Sequence, residues 1–265
     1  MERIEQLESN SIYLIREAAS SLGDIALLWS MGKDSTALLW LARKAFFGEV
    51  PFPVLHIDTG YKFPEMYRFR DDLAKEWNLD LRVARNEEAI AAGMGPAERI
   101  ACCTALKTDA LKQAVAEHGF RGLLLAIRRD EHGVRAKERY FSPRDRDFRW
   151  DYEDQPLELW DHHGSPTDPD SHVRVHPLLD WTEKDVWNYV RREDMPVVDL
   201  YFARGGQRYR SIGCLTCCDP VDSDAQTVDD IIAELKSTST GERAGRAQDK
   251  ESATAMQKLR ALGYM

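Results

Sequence analysis

Seven consecutive residues, Ser30-Met31-Gly32-Lys33-Asp34-Ser35-Thr36, bring together groups that suit an anion. They lie between a continuous apolar run, Ile25-Ala26-Leu27-Leu28-Trp29, and a helix expected over 35–47. Such a run reads as a strand buried on both faces. An open α/β sheet binds ligands where its strands end and the next helices begin. Gly32 lets the backbone approach a phosphate. Ser30, Ser35, Thr36 and the new helix N-terminus donate hydrogen bonds to it, and Lys33 adds a positive charge. This is not a Walker A loop, because position 27 is Leu rather than Gly and Asp34 follows the lysine where that loop needs Ser or Thr.

Two further strand ends offer partners for this loop. His56-Ile57-Asp58-Thr59-Gly60 closes a second strand, which places Asp58, Thr59 and Gly60 toward a nucleotide or its metal; the plain alternative is an Asp/Thr/Gly turn. Arg128 and Arg129 leave a later strand at the same edge, with Arg135, Lys137 and Arg139 following. Arginines there can pair bidentately with phosphate or another oxyanion, although a charge run of this kind usually forms a solvated, salt-bridged loop. The cysteines form the third constellation. Cys102-Cys103 is a tandem pair and Cys214-Leu215-Thr216-Cys217 a Cys-x-x-Cys, with Cys218 to spare. Four thiolates suit zinc or an iron–sulfur cluster; a redox dithiol or inert buried thiols are the alternatives.

These residues need a scaffold of alternating strands and helices. The pattern predicts an amphipathic helix over 4–22, strands over 25–29, 53–57, 81–83 and 123–127, and helices over 35–47, after Pro64 and over 104–118. The region 128–170 is rich in Arg, Asp, Pro and Trp with little periodicity, and segments of that kind are usually functional or disordered. A short strand at 173–175, a helix capped by Thr182, a Gly- and Cys-bearing loop over 199–226 and helices near 227–236 and 252–262 follow. The expected fold is α/β: an open, mostly parallel sheet with helices on both faces, plus a C-terminal loop and helical extension. The expected division is 1–200 for the nucleotide domain and 201–265 for the extension. His162-His163 reads as a loop pair, and Trp150, Trp160, Trp181 and Trp187 as core or interface.

The 265 residues are 43% apolar and 31% charged, which excludes a disordered chain and leaves enough apolar material for a core. The net charge of −9 argues against a simple basic nucleic-acid module. No apolar run reaches membrane-span length, and the first residues lack an apolar signal core, so the expected location is cytoplasmic.

The pattern Ser-x-Gly-x-Asp-Ser resembles the pyrophosphate loop of the ATP pyrophosphatases, which cleave ATP between its α and β phosphates. That loop, residues 56–65, Arg128-Arg129-Asp130-Glu131, Arg135-Ala136-Lys137-Glu138-Arg139 and Trp181-Thr182-Glu183-Lys184-Asp185-Val186-Trp187 resemble the small subunit of sulfate adenylyltransferase. So do Ala225-Gln226-Thr227 and Glu242-Arg243-Ala244-Gly245-Arg246. The same superfamily includes the phosphoadenylylsulfate reductases and the ATP pyrophosphatase subunits of DNA phosphorothioation systems. The resemblance implies an adenine nucleotide alpha hydrolase-like fold that binds ATP and Mg²⁺. It implies catalytic roles for Lys33, Asp34, Arg128 and Arg129, and nucleotide contacts from Ser30, Gly32, Ser35, Thr36, Asp58, Thr59 and Gly60.

Cys102, Cys103, Cys214 and Cys217 are similar to the 4Fe-4S site of the adenylylsulfate reductases and of the phosphorothioation pyrophosphatases. The sulfate adenylyltransferase small subunit lacks this set, and the stretch before Cys214 is shorter here than in that family. On those two departures the expected activity is an iron–sulfur ATP pyrophosphatase of a DNA phosphorothioation system, partnered by a cysteine desulfurase and DNA-modification subunits. The alternatives are the catalytic small subunit of sulfate adenylyltransferase with a GTPase partner, and a non-enzymatic nucleotide-sensing scaffold.

Overall fold

A computed structural model describes residues 2–131, 133–155, 157–158, 171–238 and 241–246. The chain opens with α1 (Arg3–Leu22), whose buried Leu14, Ile15, Ala18 and Leu22 repeat at helical spacing and form one stripe. The first βαβ passage is β1 (Ile25–Leu28), α2 (Lys33–Ala45) and β2 (Val54–Ile57). Next come α3 (Pro64–Glu76), with Pro64 in the first turn, and β3 (Leu81–Ala84). Short helices α4 (Glu87–Ala91) and α5 (Arg99–Cys103) lead through a π-helical turn, Thr104–Asp109, into α6 (Ala110–His118). Then come β4 (Gly122–Leu124), β5 (Phe141–Arg144), β6 (His172–Val175) and α7 (Glu183–Glu193). A small hairpin, β7 (Gln207–Arg208) with β8 (Val221–Asp222), and α8 (Val228–Ser237) complete the described elements.

The six-stranded sheet has the order β3-β2-β1-β4-β6-β5, and only the edge strand β5 runs antiparallel. That strand carries Pro143, which an edge tolerates because it leaves one ladder donor unneeded. The order reverses between β1 and β4, which opens a crevice at their carboxyl ends. Alternating side chains divide the core between the two faces. Ile25, Leu27 and Trp29 pack with α1, α2 and α7, whereas Ala26 and Leu28 pack with Ala110, Leu111 and Ala114 of α6. Helices thus cover both faces, as the sequence pattern predicts.

The capping prediction at α7 also holds: Thr182 accepts from the Asp185 amide and the Asp185 side chain accepts from the Thr182 amide. Where one helix is expected over 104–118, the wider π turn interrupts it and shifts the register of Lys107. Such turns recur at functional sites. Among the described residues of the region expected to be irregular, β5 is accompanied by two short 3₁₀ turns, Arg129–Glu131 and Gly133–Lys137. Beyond residue 200, Tyr201, Cys218, Ala225, Ile231 and Ile232 join the same core as β1 and α2. Trp150, Trp181 and Trp187 are buried, whereas Trp160, His162, His163 and the helix expected near 252–262 lie outside the described residues. No described helix is long and apolar enough to cross a membrane.

Candidate functional site

A cleft opens at the crevice between β1 and β4 and is lined by Ser30, Gly32, Lys33, Asp34 and Ser35 from the turn after β1. The apolar strand ends Leu55, Ile57, Leu125 and Ile127 form a flat wall beside them, suited to a base. Gly32 is the N-cap of α2 with an extended backbone, and a Cβ there would make only ordinary contact with the Tyr201 hydroxyl at 3.5 Å. That hydroxyl accepts from the Lys33 amide at 2.8 Å and so ties the loop to the segment after α7. Ser35 Oγ takes the Ser30 amide at 3.2 Å and lies 3.1 Å from Ser30 Oγ, which closes the turn on itself. Thr36 is turned beneath the loop instead. Its hydroxyl accepts from the Trp29 indole at 3.1 Å, so it supports the loop and does not face the cleft.

Four charged side chains form a ring at the loop. Lys33 Nζ pairs with Asp34 Oδ2 at 3.0 Å and with Glu242 Oε1; Arg128 pairs with Asp34 Oδ1 and Glu242 Oε2. Lys33 and Arg128 are fully buried. Burial alone would discharge Lys33, but Asp34 and Glu242 outweigh it and hold its ammonium above the ordinary lysine range. The same two cations, against the penalty of burial, hold the Glu242 carboxyl far below the usual carboxylate range. Arg129, by contrast, points outward to Asp180 and stacks over Tyr140. Arg135 reaches the cleft wall and pairs with Glu131.

The turn after β2 leads away from the phosphate loop toward the cysteines. Asp58 accepts from the Gly60 amide at 2.8 Å and the Tyr67 hydroxyl at 2.7 Å. These bonds overcome the opposing effect of burial and keep Asp58 below the ordinary carboxyl range. Its acceptor capacity thus goes into shaping the turn, where Gly60 takes φ +75°. Thr59 Oγ1 lies 3.3 Å from Cys214 Sγ, and Lys62 forms a main-chain bridge with Cys214. All five cysteines are buried and unbridged.

Cys102, Cys103, Cys214 and Cys217 converge closely enough to feel one another's charge, and the thiol of Cys102 is pushed up to about 11 by burial and by the other three. Cys214 differs: burial would raise it, but Lys107, Lys62, the Thr59 hydrogen bond and Arg246 lower it. Lys62, Lys107 and Arg246 line the far end of the same cleft. Gly213 sits there because a side chain would run into the Arg246 guanidinium.

The four thiols predicted as ligands are thus gathered, but not as a ligand set. Among the described residues no group of three or more His, Cys, Asp or Glu side chains is arranged to hold a metal ion. As they stand they do not fit a cluster, and no chemical step is assigned to one. The sequence reading missed Tyr201, Glu242, Lys62, Lys107 and Arg246. Of these, Glu242 and Arg246 lay inside a quoted motif without a role, and Lys107 was visible as the lysine following the cysteine pair.

Residues 24–220 match the family described as "Phosphoadenosine phosphosulfate reductase domain". The chain is 40% identical, over 98% of its length and 97% of the relative's, to "Sulfate adenylyltransferase subunit 2" of Serratia proteamaculans (strain 568). The protein of the same name from Zymomonas mobilis subsp. mobilis matches at 40% identity over the same shares. Among solved structures, phosphoadenylyl-sulfate reductase from Candida auris aligns with a TM-score of 0.53 at 16% identity, covering 77% of this chain and 95% of that one. Candida glabrata FMN adenylyltransferase with FMN and an ATP analogue aligns with a TM-score of 0.58 at 15% identity, covering 84% and 68%. These two likenesses establish the fold.

The near-full-length relatives overturn the expectation of a DNA phosphorothioation subunit. Two features had favoured it, the cysteine pattern and a short loop before Cys214, and both are local, whereas the similarity to sulfate adenylyltransferase subunits covers 98% of the chain. The desulfurase and DNA-modification partners fall with it. The loop of Lys33, the strand-end arginine Arg128 and the family's domain coincide in one stretch of sequence, and the chain belongs to the phosphoadenosine phosphosulfate reductase domain family, among the relatives named sulfate adenylyltransferase subunit 2.

Proposed function

We propose that this protein is the ATP-binding catalytic subunit of a sulfate-activating enzyme, making adenylylsulfate and pyrophosphate from ATP and sulfate in complex with a GTPase subunit in the cytoplasm. The family makes it an adenylyltransferase that releases pyrophosphate. What carries the acceptor assignment is the 40% identity over 98% of the chain to sulfate adenylyltransferase subunits. The cleft supports it. Lys33 lines it, with Arg128 buried behind it across Asp34, and Lys62, Lys107 and Arg246 line it as well and suit a second oxyanion.

In this reading a sulfate oxygen attacks the α-phosphorus. An S–O–P anhydride forms, and the bond to the β-phosphate breaks as pyrophosphate leaves. Sulfate is fully ionised at neutral pH, so no general base is required. Catalysis is then positional and electrostatic: Lys33, Arg128 and the N-terminus of α2 hold the charge that builds on the leaving pyrophosphate. Mg²⁺ favours one or two carboxylates together with phosphate oxygens, and Asp34 is the carboxylate of the loop. Ser30, Gly32 and Ser35 frame the phosphates. Asp58, Thr59 and Gly60 form the turn that leads from β2 to Lys62 and Cys214. Adenylyl transfer does not need a 4Fe-4S cluster on Cys102, Cys103, Cys214 and Cys217, and iron and acid-labile sulfide analysis of the purified protein tests for one.

The test is isotope exchange between pyrophosphate and ATP by the complex. We expect exchange only when sulfate is present. Exchange that proceeds equally without sulfate removes the acceptor assignment.

A further inference from the structure

We infer that Gly241–Arg246 is an exchangeable strap whose Glu242 carboxylate occupies the place of ATP phosphate oxygens in the nucleotide-free protein and withdraws when the nucleotide binds. This rests on the ATP-binding reading of the loop and goes beyond it by naming the residue that sets nucleotide affinity.

The ring of Lys33, Asp34, Arg128 and Glu242 alternates in sign and sums to zero formal charge. Glu242 bridges the two cations with both oxygens, one to Lys33 and one to Arg128, as a phosphate would. Its side chain is 7% exposed, and Lys33 and Arg128 are 1% and 0% exposed, so water screens none of them appreciably. A triphosphate entering this neutral ring gains little from Lys33 and Arg128 unless a carboxylate leaves.

Asp34 cannot leave, because it belongs to the first turn of α2 next to Lys33. Glu242 can. It opens a short 3₁₀ turn, Glu242–Gly245, whose described anchors include Arg243 to Glu131 at 2.8 Å and Arg246 to Cys218. Arg210, held by Glu183 at 2.7 Å, also feels the charge of Glu242 and offers it an alternative partner. With Glu242 withdrawn, Lys33, Arg128 and Asp34 carry one net positive charge, and Asp130 stays on the Nε side of Arg128 at 3.0 Å. Arg243 and Arg246 already line the cleft, so the segment that excludes phosphate in the free protein clamps it in the bound one. Nucleotide then selects the open arrangement by its differential affinity for it.

The experiment is calorimetric titration of the full-length protein with magnesium pyrophosphate, which needs neither sulfate nor turnover. Glu242→Gln keeps the shape and removes the charge. We expect its dissociation constant for pyrophosphate to fall by about tenfold, as removal of a competing closed state requires. Arg243→Ala is expected to raise it by about the same factor. Equal or weaker binding by Glu242→Gln overturns the inference. Hydrogen exchange on the unmodified protein provides a test independent of any variant: amides in 241–246 must change their exchange when pyrophosphate saturates the protein, and unchanged exchange there also overturns it. Sulfate-independent ATP exchange alongside the expected pyrophosphate results removes only the acceptor assignment; the reverse pattern removes only the strap.

Discussion

The two ends of the cleft neutralise buried cations in different ways. At the phosphate loop, Lys33 meets two carboxylates and Arg128 three, and Lys33 is held charged despite complete burial. At the cysteine end no carboxylate among the described residues pairs with Lys62. Burial lowers its ammonium, the neighbouring Lys107 and Arg246 lower it further, and the thiols of Cys214 and Cys218 oppose this. Carboxylates make the first end a firmly charged receptor with exchangeable counterions. Thiols are weak acids and make poor counterions, so Lys62 lacks the firm pairing that Lys33 has. The comparison teaches that a cleft lined by similar cations can rank its ligands by what already sits beside each one.

The largest effect expected of this contrast is at Lys33. Lys33→Ala removes the point charge beside the leaving pyrophosphate and should lower pyrophosphate release by about 10²–10³-fold, the range for losing one transition-state electrostatic partner. A loss below threefold breaks the assignment of the phosphate end. Lys62→Met probes the other end. It should raise the sulfate concentration needed for half-maximal exchange by about tenfold, the effect of roughly one charge-assisted hydrogen bond, with pyrophosphate affinity preserved. If both ligands weaken together, the two ends do not act separately. The smallest effect is expected beneath the loop. Thr36→Val leaves the Trp29 indole N–H unsatisfied and should cost about 1–2 kcal/mol in unfolding free energy by denaturant titration, with turnover close to that of the unmodified protein. A collapse of turnover with stability intact would return Thr36 to the cleft.

Much of this arrangement was legible before the structure. Apolar runs at 25–29 and 123–127 mark strands buried on both faces, and the residues leaving them, Lys33 and Arg128, meet through Asp34 because β1 and β4 are neighbours. Thr182 and Asp185 announce their helix start by local chemistry alone. What escaped depends on contacts remote in sequence. Glu242 reaches Lys33 across more than two hundred residues, and nothing in Glu-Arg-Ala-Gly-Arg says which cations it meets. Thr36 and Asp58 were read as ligand contacts because their types suit phosphate and metal. Trp29, Gly60 and Tyr67 take up those oxygens first. Arg129 follows Arg128 directly yet faces the other way, toward Asp180, because it opens a 3₁₀ turn, Arg129–Glu131. The cysteine pattern pointed to a DNA phosphorothioation system, which the near-full-length relatives overturn; spacing counts potential ligands but not the lysines that gather around them.

Met31 has a consequence for how ATP meets its loop. It sits between Ser30 and Gly32 with φ +61°, a left-handed conformation that costs a residue with a side chain about 1–2 kcal/mol. Its side chain is completely buried in the core packed on β1 and α2. The hydrophobic interior thus enforces the shape of a polar turn from beneath, and the turn keeps that shape without any ligand to template it. The entropy of ordering this turn is lost once, when the chain folds, so the nucleotide encounters a preorganised surface there and its affinity does not bear the cost of shaping it.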